Sequence, residues 1–129
     1  MAAIRIDVSP GELIDKLTIL EIKRERLQDP QKLANVDREF AALDAAWRAG
    51  VRSSDALAAL SAELRGVNAR LWEIEDEIRD CERRRDFGDR FVALARDVYR
   101  QNDRRSALKR EINLLLGSAL IEEKSYRAY

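Results

Sequence analysis

The chain has 129 residues, enough for one domain and one core. Lys plus Arg and Asp plus Glu both total 24, so no net field draws the chain to nucleic acid or an anionic membrane surface. With no histidine and a single cysteine, zinc sites, Ser-His and Cys-His mechanisms and an internal disulfide are excluded. That cysteine count, and the lack of an apolar leader or spanning run, point to a reducing, cytoplasmic setting. Charged residues make up 37% of the chain beside five Gly and two Pro, the composition of long helices.

In residues 1–8, Ile4, Ile6 and Val8 alternate with Arg5 and Asp7, the period of a strand with one apolar face. No partner strand follows. The segment is expected to lie as an extended arm on the helices or, failing that, to pair with its copy in a dimer. Ser9-Pro10-Gly11-Glu12 then carries a helix start, with Ser9 as cap, Pro10 in the first turn and Glu12 in the capping-box position. The first helix runs over about 10–27. Leu13, Leu17, Leu20 and Leu27 make one apolar face, with Ile19 and Ile22 roughly opposite. Such a helix is either sandwiched in a bundle or shared with a second subunit, so Ile19 and Ile22 are the candidate partner surface of a homodimer.

Asp29-Pro30 opens a second helix over about 30–48, in which Leu33, Val36, Phe40, Leu43 and Trp47 recur at 3 and 4 and Gly50 offers a stop. Ser53, Ser54 and Asp55 cap a third, over 55–84. Its residues Leu57, Leu60, Leu64, Val67, Leu71, Ile74, Ile78 and Cys81 form a seam without a miss, which places Cys81 in the core. Arg85-Asp86-Phe87-Gly88 breaks it. A fourth helix follows over about 89–116, with a seam of Phe91, Leu94, Val98, Gln101, Arg105, Leu108, Ile112 and Leu115 and Gly117 as its stop. Folding back about residue 86 sets Leu57 against Leu115 and Cys81 against Phe91. The tail, 117–129, is expected to add a short helical turn with Leu120 and Ile121 inward. The predicted fold is all-α: a single-domain four-helix bundle built on a long antiparallel hairpin, with a short extended N-terminal arm.

The fourth-helix seam turns polar only at Gln101 and Arg105, opposite Leu71 and Val67. Asn68, Trp72, Glu75, Asp76, Arg79, Tyr99, Asn102 and Asp103 gather within a turn or two. This belt is read first as a buried network that fixes register. Its alternative is a ligand pocket between helices, worked by Glu75, Arg79, Tyr99 and Asn102. Flanking positions oppose Arg70 to Arg104, Glu63 to Glu111 and Glu77 to Asp97, so counter-charges are expected from a neighbouring helix, the first above all.

Carboxylates three apart, at Glu12/Asp15, Glu73/Asp76 and Glu77/Asp80, are of a kind that holds Mg²⁺ with substrate phosphates. In this they are similar to the paired acids of the all-α nucleotide pyrophosphohydrolases. In a chain so rich in acids the plainer reading is a solvated face, and no metal or cofactor is assigned. The first helix, with Arg5, Lys16, Lys23 and Arg24 nearby, is similar in outline to the small helical chorismate mutases.

The stretches SPGELIDKLTILEIK, VNARLWEIEDEIRDCE, RFVALARDVYRQNDRR and EEKSY resemble a bacterial family of small helical proteins with a domain of unknown function. The resemblance implies a cytoplasmic bacterial protein and brings no catalytic residues with it. The expected function is a non-enzymatic, self-associating binding or scaffold module, with a protein partner and without nucleic acid or membrane. The alternative is a small-molecule or nucleotide-binding enzyme using the belt.

Overall fold

Four helices follow one another in the computed structural model, which describes residues 2–129: α1 (Pro10–Arg26), α2 (Pro30–Gly50), α3 (Asp55–Arg84) and α4 (Asp89–Leu115). Their starts follow from capping chemistry. Ser9 Oγ accepts from Glu12 N at 3.2 Å, Asp29 Oδ1 from Gln31 N at 2.9 Å, and Ser54 Oγ from Leu57 N at 3.1 Å, each satisfying an amide the helix cannot. Gly50 is the last residue of α2 and not the stop beyond it.

The hairpin ends show two left-handed residues. At the end of α4, Gly117 adopts φ 67°, its amide donates to Leu114 O, and Ser118 N donates to Asn113 O at 2.9 Å. This double bond is the glycine-terminated cap that the sequence calls for. At the end of α3 the same conformation falls on Arg85, φ 55°, a residue with a Cβ that disfavours it. Arg85→Gly is therefore expected to raise stability by about 0.5–1 kcal/mol, seen as a higher urea midpoint at unchanged slope.

α3 and α4 pack antiparallel along their length. Leu57, Leu64, Leu108 and Ile112 join Ile14 and Leu17 in one buried cluster, and Ile74, Cys81 and Leu94 form a second toward the turn, with Phe91 and Val98 against it. The seam frays only at its last rung. Leu115 is exposed, and Leu116 packs in its place.

α1 lies between α2 and the hairpin, touching all three other helices. This corrects the partner surface expected at Ile19 and Ile22. Ile22 is 2% exposed inside the single chain and Ile19 is half-buried, because the second face of α1 is covered by the hairpin of its own chain. Two further expectations are overturned. The arm does not lie on the helices, since Ile4 and Ile6 are 80% and 76% exposed. The tail forms no helical turn, with Leu120 exposed and Ile121 half-buried, because ion pairs draw residues 122–124 back along α4.

The like-charge flanks resolve within the hairpin. Arg70 Nε reaches Asp97 at 3.0 Å, and Arg104 reaches Glu63, each on the opposite helix of the hairpin. α1 supplies counter-charge elsewhere, with Glu21 and Glu25 on Arg65. None of the described helices is long and apolar enough to cross a membrane.

Candidate functional site

Along α1, Gly11, Asp15, Thr18 and Ile22 recur at 4, 3 and 4, and all four are buried. This stripe faces the place where the α4 seam turns polar. Asp15, its side chain 2% exposed, accepts from Arg105 Nε at 2.8 Å and from Arg105 Nη2 at 2.6 Å, a two-pronged pair from α4. Asn68 of α3 donates from Nδ2 to Asp15 Oδ1 and to Thr18 Oγ1, each at 2.9 Å, and Thr18 in turn donates to the Asp15 carbonyl at 2.8 Å. Three helices are thereby tied at one carboxylate.

Burial alone would raise the Asp15 carboxyl. The hydrogen bonds from Arg105 and Asn68, with the charges of Arg105 and Lys109, outweigh it and hold the group below its ordinary value. Arg105 is raised by its bond to Asp15 against the cost of burial. One α4 turn further on, Lys109 Nζ donates to Glu12 at 2.7 Å and to Glu122 of the tail at 3.0 Å. Burial would lower the ammonium, and these two carboxylates raise it instead. Asn113, also buried, accepts from Gly11 N at 2.7 Å and brings the first turn of α1 against α4.

Beside this network the tail doubles back on α4. Arg110 pairs with Glu123, Lys124 with Asp103 at 2.9 Å, and the Tyr129 ring meets Tyr99 edge-on with 4.9 Å between centroids. The Asp103 carboxylate beside the Tyr129 hydroxyl holds the phenol above its ordinary value. The bond from Lys124, and then the neighbouring Tyr129 phenol, hold the Asp103 carboxyl low. Between tail and helix lies an open groove of about 1060 Å³, bounded by Tyr99, Asn102, Arg105, Lys109, Lys124 and Tyr126 among others. All three tyrosines of the chain line it.

The belt expected at mid-hairpin is thus divided. Asn68 enters the buried network, whereas Tyr99, Asn102 and Asp103 line the groove. Trp72 is half-buried on α3 and borders neither. Glu75 and Arg79 pair with each other at 2.7 Å in solvent, and Asp76 is exposed beside them. The physical reason is the length of α1, whose last residue, Arg26, reaches Glu73. Past that point none of the described residues covers Glu75, Asp76 and Arg79. The sequence reading missed Thr18, Lys109, Asn113 and the tail tyrosines, and it weighed Asp15 only as half of an acidic pair. The 4, 3, 4 spacing of Gly11, Asp15, Thr18 and Ile22 was the available signal, hidden because it is not apolar.

Every member of the acidic pairs but the exposed Asp76 is met by a cation. Glu12 bonds Lys109, Asp15 bonds Arg105, Glu73 meets Arg26 and Arg70, Glu77 meets Arg70 and Arg90, and Asp80 meets Arg83 and Arg84. Among the described residues no three carboxylates or thiols converge as metal ligands would. Cys81 is buried in the second cluster.

No curated protein matches the chain, and neither does any solved structure. A family model does, over residues 4–129, nearly the whole of the described structure, and by it the chain belongs to DUF6165, a family of unknown function.

Proposed function

We propose that the protein is a cytoplasmic, non-enzymatic binding module, and that its ligand site is the groove between α4 and the tail. One observation carries this reading: all three tyrosines of the chain meet Arg105, Lys109 and Lys124 around a single groove large enough for a small molecule. Tyrosine faces accept a flat ring, and ammonium and guanidinium groups accept an anion. The ligand class is therefore a small anion bearing a flat ring, as in a nucleotide or an aromatic carboxylate, which would take the place of Glu122 on Lys109 and of Asp103 on Lys124. Arg105 is well placed for such a role because Asp15 fixes its guanidinium from the buried side while the residue borders the groove. The pairing of Asp15 with Arg105 and of Glu12 with Lys109 favours binding over Mg²⁺-dependent hydrolysis at this site.

A thermal-shift screen with nucleoside monophosphates in one arm and aromatic carboxylates in the other tests the proposal. A ligand at 100 times its dissociation constant adds about 2.7 kcal/mol of stability. The shift is expected to vanish in Tyr126→Ala and to persist in Arg79→Ala, whose side chain stands in solvent away from the groove. Absence of a shift from either class, or a shift that survives Tyr126→Ala, overturns the groove as the site.

A further inference from the structure

We infer that the N-terminal arm is a dimerisation strand, pairing antiparallel with the arm of a second copy about Ile6. Three apolar side chains alternate along it, and Ile4 and Ile6 are almost fully exposed. Among the described residues, 2–8 belong to no helix and to no strand ladder. Ser9, which follows, is extended at φ −71°, ψ 154°, as a residue before proline should be, so extended backbone reaches the root of the arm.

The sequence of the arm selects both the occupant and the register. With Ile6 opposite its own copy, Ile4 faces Val8 and Arg5 faces Asp7. Ile4, Ile6 and Val8 of the two arms then share one face, and two Arg–Asp pairs share the other. Other registers lose this. Sliding by two residues sets Arg5 against Arg5 or Asp7 against Asp7, and an in-register parallel pair sets each charge beside its own kind. Sliding by one residue puts aliphatic side chains on the charged face. Self-complementarity about one residue is the mark of a twofold, isologous contact.

A two-stranded ribbon needs cover for its apolar face. The bond from Gly11 N to Asn113 anchors the root of the arm at the end of α4, where Leu114 and Leu115 are exposed. That end offers the aliphatic surface. The inference uses none of the groove residues and stands apart from the proposed ligand site.

Light scattering and sedimentation of the unaltered chain at tens of micromolar test it. The expected mass is that of two chains. Arg5→Asp and Asp7→Arg should each weaken the dimer about tenfold, because each turns two attractive cross-strand pairs into two repulsive ones. The double swap, Arg5→Asp with Asp7→Arg, should restore it. Under copper phenanthroline, Ile6→Cys is expected to cross-link to a dimer and Ile4→Cys to stay monomeric, since only position 6 faces itself; the native Cys81 is buried. The arm lies outside the core, so helical circular dichroism should be unchanged in every variant. A monomeric mass for the unaltered chain, a double swap no better than the single changes, or equal cross-linking at 4 and 6 overturns the inference.

Discussion

Asp15→Ala is expected to cost about 3–5 kcal/mol in urea unfolding, because the substitution removes one partner of a buried ion pair and leaves the other in place. Arg105 would lose the acceptor of both its bonds and Asn68 one of its two, while Thr18 keeps its bond to the Asp15 backbone carbonyl. Domains of this size hold roughly 5–15 kcal/mol in all, so the change approaches loss of the fold. Part of the cost should return when Arg105 is replaced as well. The double variant Asp15→Ala/Arg105→Met is expected to lie well short of the sum of the two single changes.

The same carboxylate sets a pH dependence. Its folded-state value lies below the ordinary 3.8, so its contribution is complete above that value and is lost as pH falls through the folded one. The stability gap between the native chain and Asp15→Asn should accordingly be flat from pH 7 to about 5 and should narrow below pH 3.8. A gap independent of pH down to acid unfolding would remove Asp15 from this role.

Gly11→Ala is expected to cost about 3 kcal/mol, an unusual amount for adding one methyl group near a helix start. A Cβ there would lie 2.9 Å from Asn113 Oδ1 and 3.0 Å from the Lys109 carbonyl carbon, and closer still to the Lys109 carbonyl oxygen. Two of these three atoms are backbone of α4 and have no rotamer to change. α1 would have to move away from α4, stretching the bond from Gly11 N to Asn113 and the Asp15 network one turn along. Gly66, on α3, is the control. A Cβ there meets nothing within 4 Å, so Gly66→Ala should be neutral or stabilising under the same urea titration.

The hairpin was legible because Leu57 to Cys81 and Phe91 to Leu115 repeat at 3 and 4, and apolar periodicity records what a helix must bury. The polar interruption at Gln101 and Arg105 was legible for the same reason, as a break in that rule. What filled the break was not. Asp15 and Thr18 read as ordinary surface residues of a charged helix, and only the approach of α4 and of Asn68 on α3 turns them into core. Residues 122–129 carry no periodic signal. Their course is set by pairs such as Glu122 with Lys109 and Lys124 with Asp103, whose separations of 13 and 21 residues leave no local trace. Ile22 was misjudged because an apolar side chain opposite the main face suits a neighbouring helix of its own chain as well as a second subunit.

The placement of α2 has a consequence for the order in which the molecule opens. Among the described residues its backbone approaches α1 alone, and Val36 is its one buried residue, with Phe40, Leu43 and Trp47 half-covered beneath it. Detaching α2 withdraws Phe40, Leu43 and Trp47 from the cluster around Leu17 and Leu57 and leaves untouched the carboxylate that ties α1 to the hairpin. Partial unfolding is therefore expected to begin at α2, seen as faster amide hydrogen exchange there than in the three helices joined at Asp15.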